Sequence, residues 1–171
     1  MSISELSSKV ENDKVLVLER IFDAPRDLVF NMFKDPEHLK HWWGPAGWEL
    51  PVCRIDFRPG GTWLYCMKCM DRNQGEYYGM ESCGKAVYKD IIEPELIAYT
   101  DYFSDADGQI DENMPASAIT LDFIDLGGKT KLVNRSEYVS AEALKTVLDM
   151  GMLEGITETW NRLEEHLKEV K

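Results

Sequence analysis

The chain has 171 residues, with 31 acidic against 19 basic side chains and a formal net charge of −12. A chain of that length buries a full core without metal or disulfide staples, and one domain is the simplest reading. The acidic excess disfavours nucleic acid and anionic membrane surfaces, which are held by clustered Lys and Arg, and no apolar run approaches the roughly 20 residues of a membrane span.

Residues 1–13 open on Met1-Ser2-Ile3-Ser4-Glu5-Leu6-Ser7-Ser8-Lys9. With neither a basic n-region nor an apolar h-region, this is not a signal peptide. It reads as a mobile polar tail ahead of a domain over residues 14–171, and the expected compartment is the cytoplasm. Val15 to Asp23 is β-branched and apolar, the first strand. Pro25 fits the first turn of a helix, whose apolar stripe is Leu28, Val29, Met32 and Phe33. A second short helix takes Asp35 as N-cap, Pro36 at its first position and Glu37 at the positive end of its dipole. It ends before Gly44-Pro45.

From there to residue 139 the pattern is an antiparallel meander. Pro59-Gly60 fits the centre of a type II turn, and Gly127-Gly128 a tight hairpin. Asp71-Arg72-Asn73-Gln74-Gly75 and Glu93-Pro94-Glu95 are further turns. Alternation assigns faces. Lys68 belongs outside, which puts Trp63, Tyr65, Met67 and Cys69 inside. Thr120 and Asp122 face out, leaving Ile119, Leu121 and Phe123 inside. In the last strand Lys131, Arg135 and Glu137 face out, while Thr130, Leu132, Asn134, Ser136 and Tyr138 face in. The strand from Leu96 to Phe103 does not alternate cleanly and receives no faces.

Ser140 caps the last element, with Glu142 in the first turn and Lys168 and Lys171 near the end. Leu144, Leu148, Met152, Ile156, Trp160, Leu163 and Leu167 follow the spacing of one helical face. A single helix over 141–170 would be about 45 Å long and needs a broad curved sheet to cover it. Gly151 and Gly155 each weaken that helix by roughly 1 kcal/mol relative to Ala. They serve either close helix–sheet packing or space for a ligand.

Of four cysteines (Cys53, Cys66, Cys69, Cys83), Cys66 and Cys69 have C-x-x-C spacing. Side chains three apart on a strand point to opposite faces, and no second C-x-x-C or nearby His completes a zinc site. Four reduced, mostly buried thiols are expected.

The order of elements is strand, two short helices, six antiparallel strands and a long helix. Five motifs accompany it: Arg20-Ile21-Phe22-Asp23-Ala24-Pro25, Asp35-Pro36-Glu37-His38-Leu39, Trp42-Trp43-Gly44-Pro45, Arg58-Pro59-Gly60-Gly61 and Gly151-Met152. Together they resemble the single-domain relatives of the activator of the heat-shock-protein-90 ATPase, within the START-like (birch-pollen-allergen-like, polyketide-cyclase, or SRPBCC) superfamily. The resemblance covers about residues 14–170. It implies an α+β helix-grip fold: a seven-stranded antiparallel sheet wrapped around the long C-terminal helix, enclosing a cavity. Functions in that superfamily range over lipid carriage, hormone sensing, cyclisation and chaperone regulation, and fold alone does not choose among them.

No catalytic constellation is legible. His38, His41 and His166 read as partly exposed surface side chains, and no cavity-facing Asp or Glu is assigned. Asp105-Ala106-Asp107-Gly108-Gln109-Ile110-Asp111-Glu112 places its glycine too early for a calcium loop and reads as a solvated acidic loop. The inward set is different in kind. Trp63, Tyr65, Met67, Asn134, Ser136, Tyr138, Met152 and Trp160, with the space left by Gly155, match a small-molecule pocket: apolar and aromatic walls with a few placed polar groups. Asn134 and Ser136 instead suit an ordinary core if they bond each other or water. Trp42 and Trp43 either gate the entrance or anchor the short helices.

Three functions follow as expectations. The first is non-enzymatic binding of a small hydrophobic or aromatic molecule, with no metal or cofactor. The second is a co-chaperone acting on the heat-shock-protein-90 ATPase. In the eukaryotic activators this domain follows a separate chaperone-binding domain, and residues 1–13 are too short to supply one. The third is a polyketide-cyclase-like enzyme, which lacks an evident acid–base group.

Overall fold

A computed structural model describes residues 6–170. Eight antiparallel strands form one sheet: β1 (Ser7–Glu11), β2 (Val15–Phe22), β3 (Trp48–Ile55), β4 (Thr62–Cys69), β5 (Glu81–Ile92), β6 (Leu96–Ser104), β7 (Ser117–Asp125) and β8 (Thr130–Tyr138). Their order across the sheet is β1-β2-β8-β7-β6-β5-β4-β3. Two short helices, α1 (Arg26–Asn31) and α2 (Pro36–Trp42), lie between β2 and β3, and α3 (Ala141–Asp149) and α4 (Met152–Val170) follow β8. A long antiparallel sheet with a C-terminal helix fits the α+β helix-grip architecture.

The eighth strand is β1, which pairs with β2 from Ser7↔Glu19 to Glu11↔Val15. Its residues belong to the stretch read as a mobile tail, so that boundary is corrected; residues 1–5 lie outside the described residues. The hairpin turns on Asn12 and Asp13, both at positive φ (50° and 65°). Such a pair matches the right-handed strand twist, and Asn and Asp tolerate it.

Local chemistry sets the helix boundaries. The Asp35 carboxylate accepts the Glu37 N–H at 2.9 Å, and Pro36 occupies the first turn of α2. Gly61 N–H donates to the Arg58 carbonyl at 2.8 Å with Gly60 at φ 84°, the expected type II turn. The C-terminal helix is not continuous. It stops at Met150 and restarts at Met152 around Gly151, whose φ is 85°. A left-handed residue cannot sit inside an α-helix, so the single 141–170 helix becomes two.

The core lies between the sheet's concave face and α4. Trp160, Leu163 and Leu167 of α4 are buried against it, and Trp160 meets Phe22 edge-to-face with centroids 5.9 Å apart. Phe30 and Phe33, at the C-terminal end of α1 and just beyond it, join through Phe123 at 5.0 and 5.3 Å. The alternation expected for β7 and β8 is present: Ile119, Leu121, Phe123, Leu132, Asn134, Ser136 and Tyr138 are buried, while Arg135 and Glu137 are exposed. Among the described residues, no helix is long and apolar enough to cross a membrane.

Two side-chain features stitch these elements together. The half-buried Arg162 guanidinium on α4 donates to the carbonyls of Gly44 (2.7 Å), Pro45 (3.0 Å), Trp48 (3.2 Å) and His41 (3.3 Å). Cys66 and Cys83, directly opposite each other on β4 and β5, form a disulfide. That corrects the reading of four free thiols. Spacing along the chain gave no hint of it, because the two cysteines meet only through strand register. Cys66 and Cys69 do diverge, and Cys53 and Cys69 are free.

Two measurements check this stitching. Thiol titration in denaturant without reductant should find two free thiols per chain rather than four. Arg162→Met should lower the unfolding free energy by about 2–3 kcal/mol in urea titrations, the scale of lost hydrogen bonds to a charged donor. A loss below 0.5 kcal/mol, the ordinary effect of a surface change, would show the clasp to be dispensable.

Candidate functional site

Between the sheet and the broken helix lies a cavity of about 360 Å³, within the range of small-molecule pockets. One wall is the loop leaving α2, with Trp43, Gly44 and Pro45, and the first residue of β3, Trp48. The floor is the sheet, with Tyr65, Met67, Tyr99, Asp101, Phe103, Asn134, Ser136 and Tyr138. The third side is the helix break, where Val147, Met150, Gly151, Met152, Gly155 and Ile156 line the space.

Seven residues expected from the sequence line this space: Tyr65, Met67, Asn134, Ser136, Tyr138, Met152 and Gly155. Three do not. Trp42 is fully buried, its Nε1 donating to the Met32 carbonyl at 3.2 Å and its ring packed on Phe33; it anchors α2. Trp63 lies beneath the wall, with centroids 4.7 Å from both Trp43 and Tyr65. Trp160 belongs to the core around Phe22. The indole at the cavity is Trp43. Gly155 opens toward the loop rather than toward a tightly packed sheet: a Cβ there would meet Pro45 Cγ at 3.8 Å, an ordinary contact.

The sequence reading missed Asp101. Its strand was given no faces, yet Ile97 and Tyr99 are buried and Asp101 and Phe103 line the cavity. Both carboxylate oxygens of Asp101 lie 3.1 Å from the Tyr65 hydroxyl, which donates. Gly84 makes this geometry possible. It stands opposite Tyr65 on β5, and a Cβ there would fall 2.3 Å from the phenol ring. The ring therefore lies across bare backbone and extends its hydroxyl to β6.

Asp101 keeps some accessible surface, but that surface faces a cavity lined by aromatic rings. Removal from bulk water raises its pKa from 3.8 to about 7, and the Tyr65 hydrogen bond opposes the shift. Burial, with the Asp101 charge adding to it, holds the Tyr65 and Tyr99 phenols well above their ordinary value and raises Tyr138. Deeper in the floor, Ser136 Oγ donates to Asn134 Oδ1 at 3.0 Å. The two polar residues thus partly satisfy each other, as an ordinary core would require.

The histidines are not three separate surface groups. His166 is 7% exposed, its Nε2 is 3.0 Å from His38 Nδ1, and His41 stacks on it at 4.8 Å. Desolvation and then His41 and His38 lower its pKa. Among the described residues, no group of three or more His, Cys, Asp or Glu side chains is placed to hold a metal ion. In the acidic loop, Asp105 Oδ1 accepts the N–H groups of Asp107 and Gln109 at 2.9 Å, so that carboxylate is occupied by its own backbone.

Residues 23–168 match the family model described as activator of Hsp90 ATPase homolog 1-like protein. The chain belongs to that family. Among solved structures it is similar to protein Ms6760 of Mycobacterium smegmatis, with 29% identity and a TM-score of 0.82 over 94% of this chain and 95% of that one. A protein from Staphylococcus epidermidis shares 28% identity at a TM-score of 0.77, covering 95% and 94%. One from Arthrobacter aurescens shares 25% at 0.84, covering 95% and 91%. No curated protein matches the chain.

The Asp101 shift has a signed consequence. Its folded pKa lies above its unfolded value, so the native state holds the proton more tightly, and stability from this group falls as pH rises from about 4 to about 7. The integrated loss is at most about 4 kcal/mol, at 1.36 kcal/mol per unit. Asp101→Asn should therefore gain stability relative to wild type across that window and hold the gain above it. Urea denaturation at pH 4.5, 6, 7 and 8 measures the difference; a difference that does not change with pH refutes the assignment.

Proposed function

We propose that this protein binds a small, largely apolar or aromatic molecule in the cavity without converting it. The observation that carries this reading is the composition of the walls. Aromatic and Met side chains from the α2–β3 loop, from β3, β4, β6 and β8 and from the helix break line the space. A few polar groups (Asp101 with Tyr65, and Ser136 with Asn134) sit at fixed positions. Such a space is characteristic of ligand pockets. The break at Gly151 supports the same reading, because it interrupts helical hydrogen bonding beside the space.

Two observations favour other readings. The family's description names an ATPase activator, which supports a chaperone-directed role. Asp101, with a pKa raised to about 7, is a group of the kind that general acid–base chemistry uses, which supports an enzyme.

A thermal-shift screen of flavonoids, aromatic polyketides and fatty acids separates the three. A ligand at a hundred times its dissociation constant stabilises the native state by about 2.7 kcal/mol, a shift of several degrees for a domain of this size. Gly155→Leu should fill the space and abolish the shift, whereas Gly155→Ala, whose methyl meets Pro45 at an ordinary distance, should keep it. Stimulation of the Hsp90 ATPase without any stabilising compound would favour the co-chaperone. Turnover of a stabilising compound would favour the enzyme.

A further inference from the structure

We propose that the cavity selects an amine: an aromatic or alkyl ammonium whose cation pairs with the Asp101 carboxylate while its apolar body lies on the surrounding rings. This rests on the ligand-binding reading above and narrows it to one chemical class.

The argument begins with an imbalance of charge. Among the described residues lining the cavity, Asp101 alone is of a charged type; none is Lys, Arg, His or Glu. Its polar partner among the described residues is the Tyr65 hydroxyl, at 3.1 Å from each oxygen. One phenolic proton serves one of the roughly four acceptor positions of a carboxylate. An ionised Asp101 therefore faces the cavity without a counter-ion.

The three ligand charges then rank by elementary electrostatics. An anionic ligand such as a fatty acid would bring a second carboxylate beside the first, with no cation to separate them, and like charges at such range oppose ionisation. A neutral ligand leaves Asp101 as it is. A cation supplies the missing charge and up to three N–H donors. Trp43, Tyr99 and Phe103 add attraction, since the negative faces of aromatic rings draw ammonium groups at close range. The chain's net charge of −12 also raises the local concentration of cations around it.

Proton linkage gives the proposal a signature. The groups around Asp101 are Tyr65 from β4, Tyr99 on its own strand and Tyr138 from β8, with Ala86 opposite on β5 and Ser117 opposite on β7. The three phenols are held above their ordinary range and stay neutral through pH 8. The helix break contributes no charged lining group. Between pH 5 and 8, Asp101 is thus the lining carboxyl that changes charge, and an ammonium must displace its proton to bind.

Isothermal titration calorimetry with 1-naphthylmethylamine, 1-naphthalenemethanol and 1-naphthoate, three bodies of one size, tests the idea. At pH 8 the amine should bind at least tenfold tighter than the alcohol, and naphthoate weakest. Toward pH 5 the advantage of the amine should shrink by up to about tenfold per unit below the Asp101 pKa, while the alcohol shows no comparable slope. Asp101→Asn should remove the preference for the amine at pH 8. The wild-type pH series keeps the test decisive if that variant does not fold. Equal affinity for amine and alcohol, or tightest binding of naphthoate, overturns the amine assignment and leaves the cavity reading standing. Binding by none of the three also overturns it, while the neutral compounds of the thermal-shift screen decide the cavity reading separately.

Discussion

The Arg162 guanidinium is the contact on which the rest of the structure hangs. The segment from Trp43 to Gly47 leaves α2 and enters β3 with no ladder of its own, and an unpaired, dehydrated carbonyl costs about 1–3 kcal/mol. Arg162 meets that demand from the opposite side of the fold, reaching carbonyls at four positions between His41 and Trp48. Glu158, one turn earlier on α4, accepts the Ala46 N–H at 3.1 Å, and Gln74 donates to the Ala46 carbonyl at 2.8 Å. The loop is thus tied to α4 and to the β4–β5 connection together. Because Trp43 and Pro45 stand on that loop and Trp48 opens the strand it leads into, the position of α4 fixes one wall of the cavity.

The opposite side is set by an interruption rather than by a bond. A continuous helix over 141–170 would have placed its apolar face on the sheet along its whole length. Instead Met150 and Gly151 donate back to Val147 and Leu148, and the helix resumes with Gly155 N–H donating to the Gly151 carbonyl. Met150 itself remains 56% exposed. The consequence is a concave corner between α3 and α4, and the cavity occupies it. Clasp and break act on the same volume: the first holds the loop over it, and the second keeps the helix from filling it.

How much of this was legible depends on which physical rule governed each residue. The β8 faces were readable because charged side chains alternate with apolar ones, leaving a single register that buries the right set. Asp35-Pro36 and Arg58-Pro59-Gly60-Gly61 were readable because capping and turn chemistry are local. Asp101 was not, because the other face of β6 carries Leu96, Ala98, Thr100 and Tyr102, with no charge to mark it as outward. Trp160 and Met152 share a helical stripe, yet one is core and the other cavity. Periodicity gives the face of a helix and says nothing about height along it. The Cys66–Cys83 pairing needs the register of two strands, which neither strand carries alone. Only β1 had a usable signal that was passed over: Asn12-Asp13 before an apolar strand is hairpin chemistry.

Three exceptions to local rules cluster in space. Asp101 is a carboxyl removed from bulk water, Gly151 a left-handed residue in a helical stretch, and Gly84 a glycine inside a strand; each breaks a local rule of its element. All three line one cavity. A sequence under selection for stability alone has simple remedies for each: an apolar residue at 101, a continuous helix through 151, a β-branched residue at 84. Local rules broken together around one space are the pattern expected where function rather than stability sets the residues, and this supports the binding role proposed above. Gly84 makes the point most sharply, since a side chain there would push the Tyr65 ring away from the sheet and take the phenol from Asp101. A glycine that weakens its strand thereby secures one hydrogen bond, and that bond fixes the direction in which the Asp101 carboxylate faces the cavity.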